Sequence, residues 1–515
     1  MRRNPFHARA LAFLALLLVA PSTAAAGDPH DPAVAILCDY KKVEKSHDPA
    51  VCRQRRLLVG RIAAIGGPKA LHALRAIAAA DAEILVRVAA LEGLVHAGGP
   101  DEVDAAIDGL RTESRRYKWV PLWVARAFED AASTAAGPWL ASKLSGEGTS
   151  DIALAMVRGL GALRARDAVP SLLKALERHD GDDEREVRFR FEVLRALGRI
   201  GGPPASECVL QATASPDLRL RLAAADTLLA TDGGAPHVDA MVRLLADPEP
   251  AVRRAAARAV GAFKAQALKG VLIERLTDPR RCVADAAHGA LVALEGSDRG
   301  PRPESWLPKG ATYAPVGPVD VDRTRLPTDR ALFLMDMSLS MDWPIPPAKP
   351  RISLARERMC DLLRRLDERT CFNVREFASE SSTWKKVPGK LPGELPATAR
   401  NVADAVAWLG RVKTHMYTHF DEILEAMEDH PAVETMYLVT DGRIQFDADD
   451  VSERLLVRLE AANLFRRVPV HVTFVWWGPS KMPSLEGSSA DQRPLLAALA
   501  SESGGTYTEL LEAPH

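Results

Sequence analysis

At 515 residues the chain is too long for a single core and is expected to divide into two to four domains. Hydrophobic residues make up 47% and charged residues 26%, the balance of a folded protein rather than a disordered one. A formal net charge of −1, with acids and bases interspersed, excludes a basic nucleic-acid-binding surface as the organising feature.

The N-terminus departs from this average. Arg2 and Arg3 precede an apolar run from Leu11 to Ala20, and Ala24, Ala25 and Ala26 follow a Pro-Ser-Thr turn. This layout predicts a signal peptide over residues 1–26, cleaved after Ala26 and followed by an N-terminal segment over 27–50. The run is shorter than the ~20 apolar residues that span a bilayer. No cysteine marks the cleavage point, as lipoprotein processing would need. Cleavage would remove Arg2, Arg3 and Arg9 and no acid, leaving a mildly acidic exported chain with no membrane span. Six cysteines are too few for a disulfide scaffold, although Cys38 and Cys52, or Cys360 and Cys371, are close enough in sequence to pair. Cys208 and Cys282 fall on helical patterns, as small buried hydrophobes do.

Residues 51–298 repeat themselves. Small-residue helical segments beginning at Val86, Val120, Ile152, Phe189, Leu220, Val252 and Val283 align with one another, and a weaker copy lies near Gln54. Each is followed by a turn and a second helix, such as Ala168 to Leu176. One such pair cannot bury its apolar face alone, so neighbours must stack into an α solenoid. Ser215-Pro216, Asp247-Pro248 and Asp278-Pro279 are read as a cap followed by Pro at the first helical position. Unit length and pattern resemble HEAT or HEAT-like repeats, which implies a binding surface or a rigid spacer.

Between 299 and 328 the helical period gives way to a Pro-rich linker, whose Trp306 and Tyr313 are expected to pack against a neighbouring domain. From 329 to 515 strands and helices alternate, predicting a doubly wound α/β domain with a mainly parallel sheet. Expected strands cover 331–336, 371–377, 434–440 and 469–476, with a short last one near Thr506.

The first of these strands ends in Asp336-Met-Ser338-Leu-Ser340. One carboxylate and two hydroxyls at alternate positions make a poor core but a good cradle for Mg²⁺, Mn²⁺ or Ca²⁺, which take oxygen ligands. The motif at the end of an apolar strand resembles the metal-ion-dependent adhesion site (MIDAS) of a von Willebrand factor A domain. The element order along 329–515 is similar to that Rossmann-like fold, and the strand ending in Asp441-Gly442 resembles the family's last acidic element. The resemblance implies a divalent ion held by Asp336, Ser338, Ser340, Asp441 and a threonine between them. Thr418 fits that place, because Ile423 and Leu424 then fall on the apolar face of the following helix; Thr414 is a second candidate. It further implies an open coordination position for the Asp or Glu carboxylate of a protein partner.

Trp343, Trp476 and Trp477 lie in loops on the same face, where an apolar rim suits partner binding or internal covering. His415 and His419 have a zinc-compatible spacing, but no third ligand accompanies them. The leading expectation is therefore an exported, non-enzymatic adhesion or scaffold protein with two interaction surfaces. The alternative is a scaffold whose A domain is metal-free and assembles through the tryptophan loops. An enzyme is the third class, disfavoured because no nucleophile elbow, phosphate loop or paired catalytic carboxylates accompany the serines.

Overall fold

The computed structural model describes residues 32–43, 49–97, 99–114, 136–231, 235–308, 325–342, 344–345, 349–379, 381–385, 393–415, 421–442, 448–475 and 493–510. The expected signal peptide, the repeat copy at Val120, Tyr313, Trp343, Thr418, His419, Trp476 and Trp477 lie outside the described residues. The chain forms two compact units, Met1–Leu268 and Lys269–His515.

The first unit is built of paired helices, including Asp151–Ala162 with Val169–Arg178, Glu184–Ile200 with Pro203–Ala212, and Leu218–Thr227 with Ala235–Leu245. The aligned small-residue segments form one layer: Asp151–Ala162 packs on Glu184–Ile200, which packs on Leu218–Thr227, which packs on Pro250–Ala262. Helices enclosed this way are apolar almost all round, and every residue from Ile152 to Gly161 is buried. Small residues set the spacing. A Cβ added at Gly161 would lie 2.8 Å from Ala196 Cα, so only glycine admits the neighbouring helix there.

Helix starts differ from the sequence expectation. The helices begin at Leu218, Pro250 and Arg281, each two residues beyond the proline read as the first helical position. Side chains of Ser215, Asp247 and Asp278 instead accept the backbone N–H two residues on, closing a turn before the helix. In the first of these, Asp217 then caps through the Arg219 N–H, 2.8 Å away. A recurring arginine ties such turns together. Arg221 donates to both Asp247 carboxylate oxygens at 2.7 and 3.1 Å, while Arg253 donates to the Asp247 carbonyl at 2.8 Å. None of the six cysteines is in a disulfide, so neither sequence-suggested pairing forms. Among the described residues no helix is long and apolar enough to cross a membrane.

The second unit opens with the last helical pair, Lys269–Arg275 and Arg281–Glu295. Its sequence departs from the earlier repeats, with Ala284 standing where Arg253 stands and with Arg280 and Arg281 four and three residues before it. Both arginines reach the α/β fold of the same unit. Arg281 donates to Thr370 Oγ1 at 3.0 Å and to the Thr328 carbonyl at 3.3 Å, and its other terminal nitrogen lies 2.9 Å from Asp367 Oδ1. Arg280 pairs with Asp329 at 3.2 Å and with Glu434. The last helical pair thus belongs to the same compact unit as the α/β fold. Trp306 of the linker is buried, donates to the Gly300 carbonyl at 2.7 Å and meets His288 edge-to-face. Replacing Arg281 by Met should lower the stability of this unit by about 1.5–3 kcal/mol, the usual worth of hydrogen bonds involving a charged group. Differential scanning calorimetry would register it as a shift confined to one transition.

The sheet runs in the order Ser381–Thr383, Cys371–Phe377, Arg330–Asp336, Thr435–Thr440, Val470–Val475, Tyr507–Leu510. The five strands from Cys371–Phe377 to Tyr507–Leu510 are mutually parallel, whereas Ser381–Thr383 and the short Leu395–Pro396 pair antiparallel with Cys371–Phe377. Phe333 stacks on Tyr437 at 5.1 Å and meets Phe372 edge-on, packing the core beneath the strand ends. Arg330–Asp336 is central and buried from Ala331 onward, which accounts for its unbroken apolar run.

Candidate functional site

In a doubly wound parallel sheet, the loops after neighbouring central strands share one crevice at the carboxyl ends. Here Asp336 ends the central strand and Asp441 directly follows the adjacent one, Thr435–Thr440. Three backbone contacts fix the strand end: Met337 N donates to the Phe377 carbonyl, His415 N donates to the Met337 carbonyl at 2.7 Å, and Ser338 forms a bridge with His415.

The serines then fold back over the carboxylate. Ser338 N donates to Asp336 Oδ1 at 2.9 Å, an aspartate turn that places Ser338 Oγ 3.0 Å from Ser340 Oγ. Ser340 Oγ in turn donates to Asp441 Oδ1 at 3.1 Å. Asp336, Ser338, Ser340 and Asp441 are thus joined in one hydrogen-bonded chain. Both carboxylates and Ser338 are buried, while Leu339 between the serines is 47% exposed. Gly442 closes the second loop at φ 68°, a left-handed conformation that glycine adopts without steric cost.

Two residues that the sequence reading did not single out complete the site. Thr440 donates to Asp336 Oδ2 at 2.6 Å and accepts the Gly442 N–H at 2.9 Å, linking the two acidic loops. Arg351, the first residue of helix Arg351–Arg364, donates through one nitrogen to Asp441 Oδ2 at 2.8 Å and to the Ser340 carbonyl at 3.1 Å. A signal for it was present: a cation in the first turn of a helix opposes the macrodipole, so its position asks for a carboxylate nearby. Of the two candidate threonines, Thr414 donates its hydroxyl to Asp342, and Thr418 lies outside the described residues.

The charges are in tension. Burial pushes the Asp336 carboxyl up to about 7, the negative charge of Asp441 adds to the rise, and hydrogen bonds from Ser338 and Thr440 oppose it. Two buried carboxylates with converging hydroxyls form an all-oxygen donor set that suits a hard divalent cation. Among the described residues no cluster of three or more His, Cys, Asp or Glu side chains could hold a metal by itself. An ion here would therefore depend on Ser338 and Ser340 as well as the two acids.

Together these features define a chain of helical repeats followed by a mainly parallel, doubly wound α/β domain. A family model described as HEAT repeats matches residues 137–229 and 209–292. Among solved structures, a von Willebrand factor type A protein from Catenulispora acidiphila is similar at 16% identity, covering 36% of this chain and 39% of its own, with a TM-score of 0.29. The karyopherin Kap121p, bound to the extreme C-terminus of the phosphatase Cdc14p, is similar at 15% identity over 57% of this chain and 38% of its own, TM-score 0.32. Human deoxyhypusine hydroxylase is similar at 19% identity over 52% of this chain and 97% of its own, TM-score 0.22. The chain thus spans about two fifths of the von Willebrand and karyopherin structures. Superpositions at these scores decide nothing about function; repeat pitch and strand order carry the fold. No curated protein sequence matches the chain.

Proposed function

We propose that the chain is an exported, non-catalytic binding or scaffold protein that engages its partner through a divalent cation at the crevice. Helical repeats joined to this α/β fold suit a protein-interaction or scaffold role, and the finer reading rests on one observation. Asp336, Ser338, Ser340 and Asp441 converge in a single hydrogen-bonded chain where two central parallel strands end. Asp336, Ser338, Ser340 and Asp441 would hold Mg²⁺ or Mn²⁺, with Thr418 as the further expected ligand. A bound ion would offer a coordination position to the Asp or Glu carboxylate of a protein partner. Leu339, exposed beside the serines, would add an apolar contact at the rim, as Trp343, Trp476 and Trp477 are proposed to do. The repeats provide a second surface. In this reading the serine hydroxyls serve as ligands and not as nucleophiles: they bond to each other, and Ser340 donates to Asp441, whose other oxygen is held by Arg351.

A second reading, a metal-free scaffold, is favoured by Arg351, which already supplies a cation to Asp441. Capture from an envelope extract separates the two. The immobilised chain should retain a partner in Mg²⁺ and release it in EDTA, and Asp336→Ala should retain none. Retention unchanged by EDTA would establish the metal-free scaffold instead.

A further inference from the structure

We propose that Arg351 is the chain's own counter-cation in this crevice, and that a divalent ion and the guanidinium hold Asp441 in turn, not together. The exchange rests on the reading of the crevice as a cation site, and it adds what governs occupancy.

Arg351 does not behave like a surface arginine. It is 5% exposed and heads a helix whose cap, Pro350, offers no side-chain acceptor. Burying a cation at a helix N-terminus is unfavourable twice over, through desolvation and through the macrodipole. Offsetting both is the charge-assisted 2.8 Å contact to Asp441 Oδ2. The same nitrogen holds the Ser340 carbonyl, so the guanidinium also fixes the turn that presents the two serine hydroxyls.

The geometry makes the two cations rivals. Asp336 is satisfied by neutral donors, the Ser338 N–H and the Thr440 hydroxyl, whereas Asp441 accepts Ser340 on one oxygen and Arg351 on the other. With both acids ionised and Arg351 in place, the group carries one net negative charge. A dication seated among Ser338, Ser340 and Asp441 would lie beside the guanidinium in a poorly screened, buried place, and the two would repel strongly. Arginine carries its charge on a long flexible stem from a helix end, so it can leave for solvent when an ion arrives. The ion's affinity is then lowered by the work of expelling Arg351, which tunes the site to ambient cation concentration.

The test uses the full chain and free Mn²⁺ counted by electron paramagnetic resonance. Arg351→Met keeps the stem and removes the charge; it should bind Mn²⁺ at least tenfold more tightly than the wild type. Arg351→Lys, which keeps the charge, should stay within about threefold of the wild type. Equal or weaker binding by Arg351→Met would overturn the exchange while leaving the cation reading intact. Binding by Arg351→Met but not by the wild type would support the rivalry and remove the cation from the natural chain's function. Uptake by neither would overturn both. Should Arg351→Met fail to fold, the wild type still decides. The Arg351 Nε–H resonance, assigned by its loss in Arg351→Lys, should move on adding Mg²⁺, and a fixed resonance at saturating Mg²⁺ would overturn the exchange.

Discussion

Replacing Glu192 with Gln should destabilise the helical half by about 3–5 kcal/mol, the range for breaking a buried ion pair from one side. Glu192 lies on helix Glu184–Ile200 where it packs against Asp151–Ala162, and it is 2% exposed. Its Oε1 accepts two bonds from Arg158, at 2.6 and 3.1 Å, and its Oε2 accepts Arg195 at 3.3 Å. Gln would leave Arg158, 4% exposed, buried beside a neutral group. Burial acts to raise the Glu192 carboxyl, but the charges of Arg158 and Arg195 outweigh it and hold it at about 2, below the ordinary 4.5. A carboxylate depressed in the folded state contributes stability above its unfolded pKa, and that contribution fades as pH falls from 4.5 towards 2. Denaturant melts across that window should show a loss of stability in the wild type that is much reduced in Glu192→Gln. Because the cost comes from removing the carboxylate that faces Arg158, the double change Arg158→Met with Glu192→Leu should recover most of it; no recovery would place the cost in packing instead.

Asp336→Ala should abolish any stabilisation of the second unit by Mn²⁺. An ion at one hundred times its dissociation constant adds about 2.7 kcal/mol to the folded state, which raises the melting temperature of a domain this size by several degrees. The substitution also deprives the Ser338 N–H and the Thr440 hydroxyl of their acceptor, so its baseline will fall. The informative quantity is therefore the difference between Mn²⁺ and EDTA within each protein. A wild-type melting temperature indifferent to Mn²⁺ would argue for the metal-free scaffold.

Much of the architecture is legible in the sequence because it rests on periodicity. Helices that stack into a layer must repeat their buried residues at a fixed pitch, so the segments at Ile152, Phe189, Leu220 and Val252 align before any coordinates are known. Strands buried on both faces read as apolar runs, and Asp336 stands out because a charge interrupts one. What escaped the sequence lies in contacts between segments distant along the chain. Arg351 and Asp441 are 90 residues apart, and along the sequence the helix of Arg351 is marked only by its apolar stripe. Thr440 reads as the last residue of a strand until its hydroxyl is seen on Asp336. Arg280 and Arg281 resemble solvent-exposed charges, yet they bind the last helical pair to the α/β fold. The helix starts were misplaced for a local reason: Ser or Asp before Pro can cap a helix or close a turn, and composition does not choose between them.

Anomalous diffraction from a crystal equilibrated with Mn²⁺ tests the cation site most directly. One anomalous peak is expected within coordination distance of Ser338 Oγ, Ser340 Oγ and the carboxylates of Asp336 and Asp441, with the Arg351 guanidinium withdrawn from Asp441. A crevice without a peak at millimolar Mn²⁺, with Arg351 still on Asp441, would contradict it.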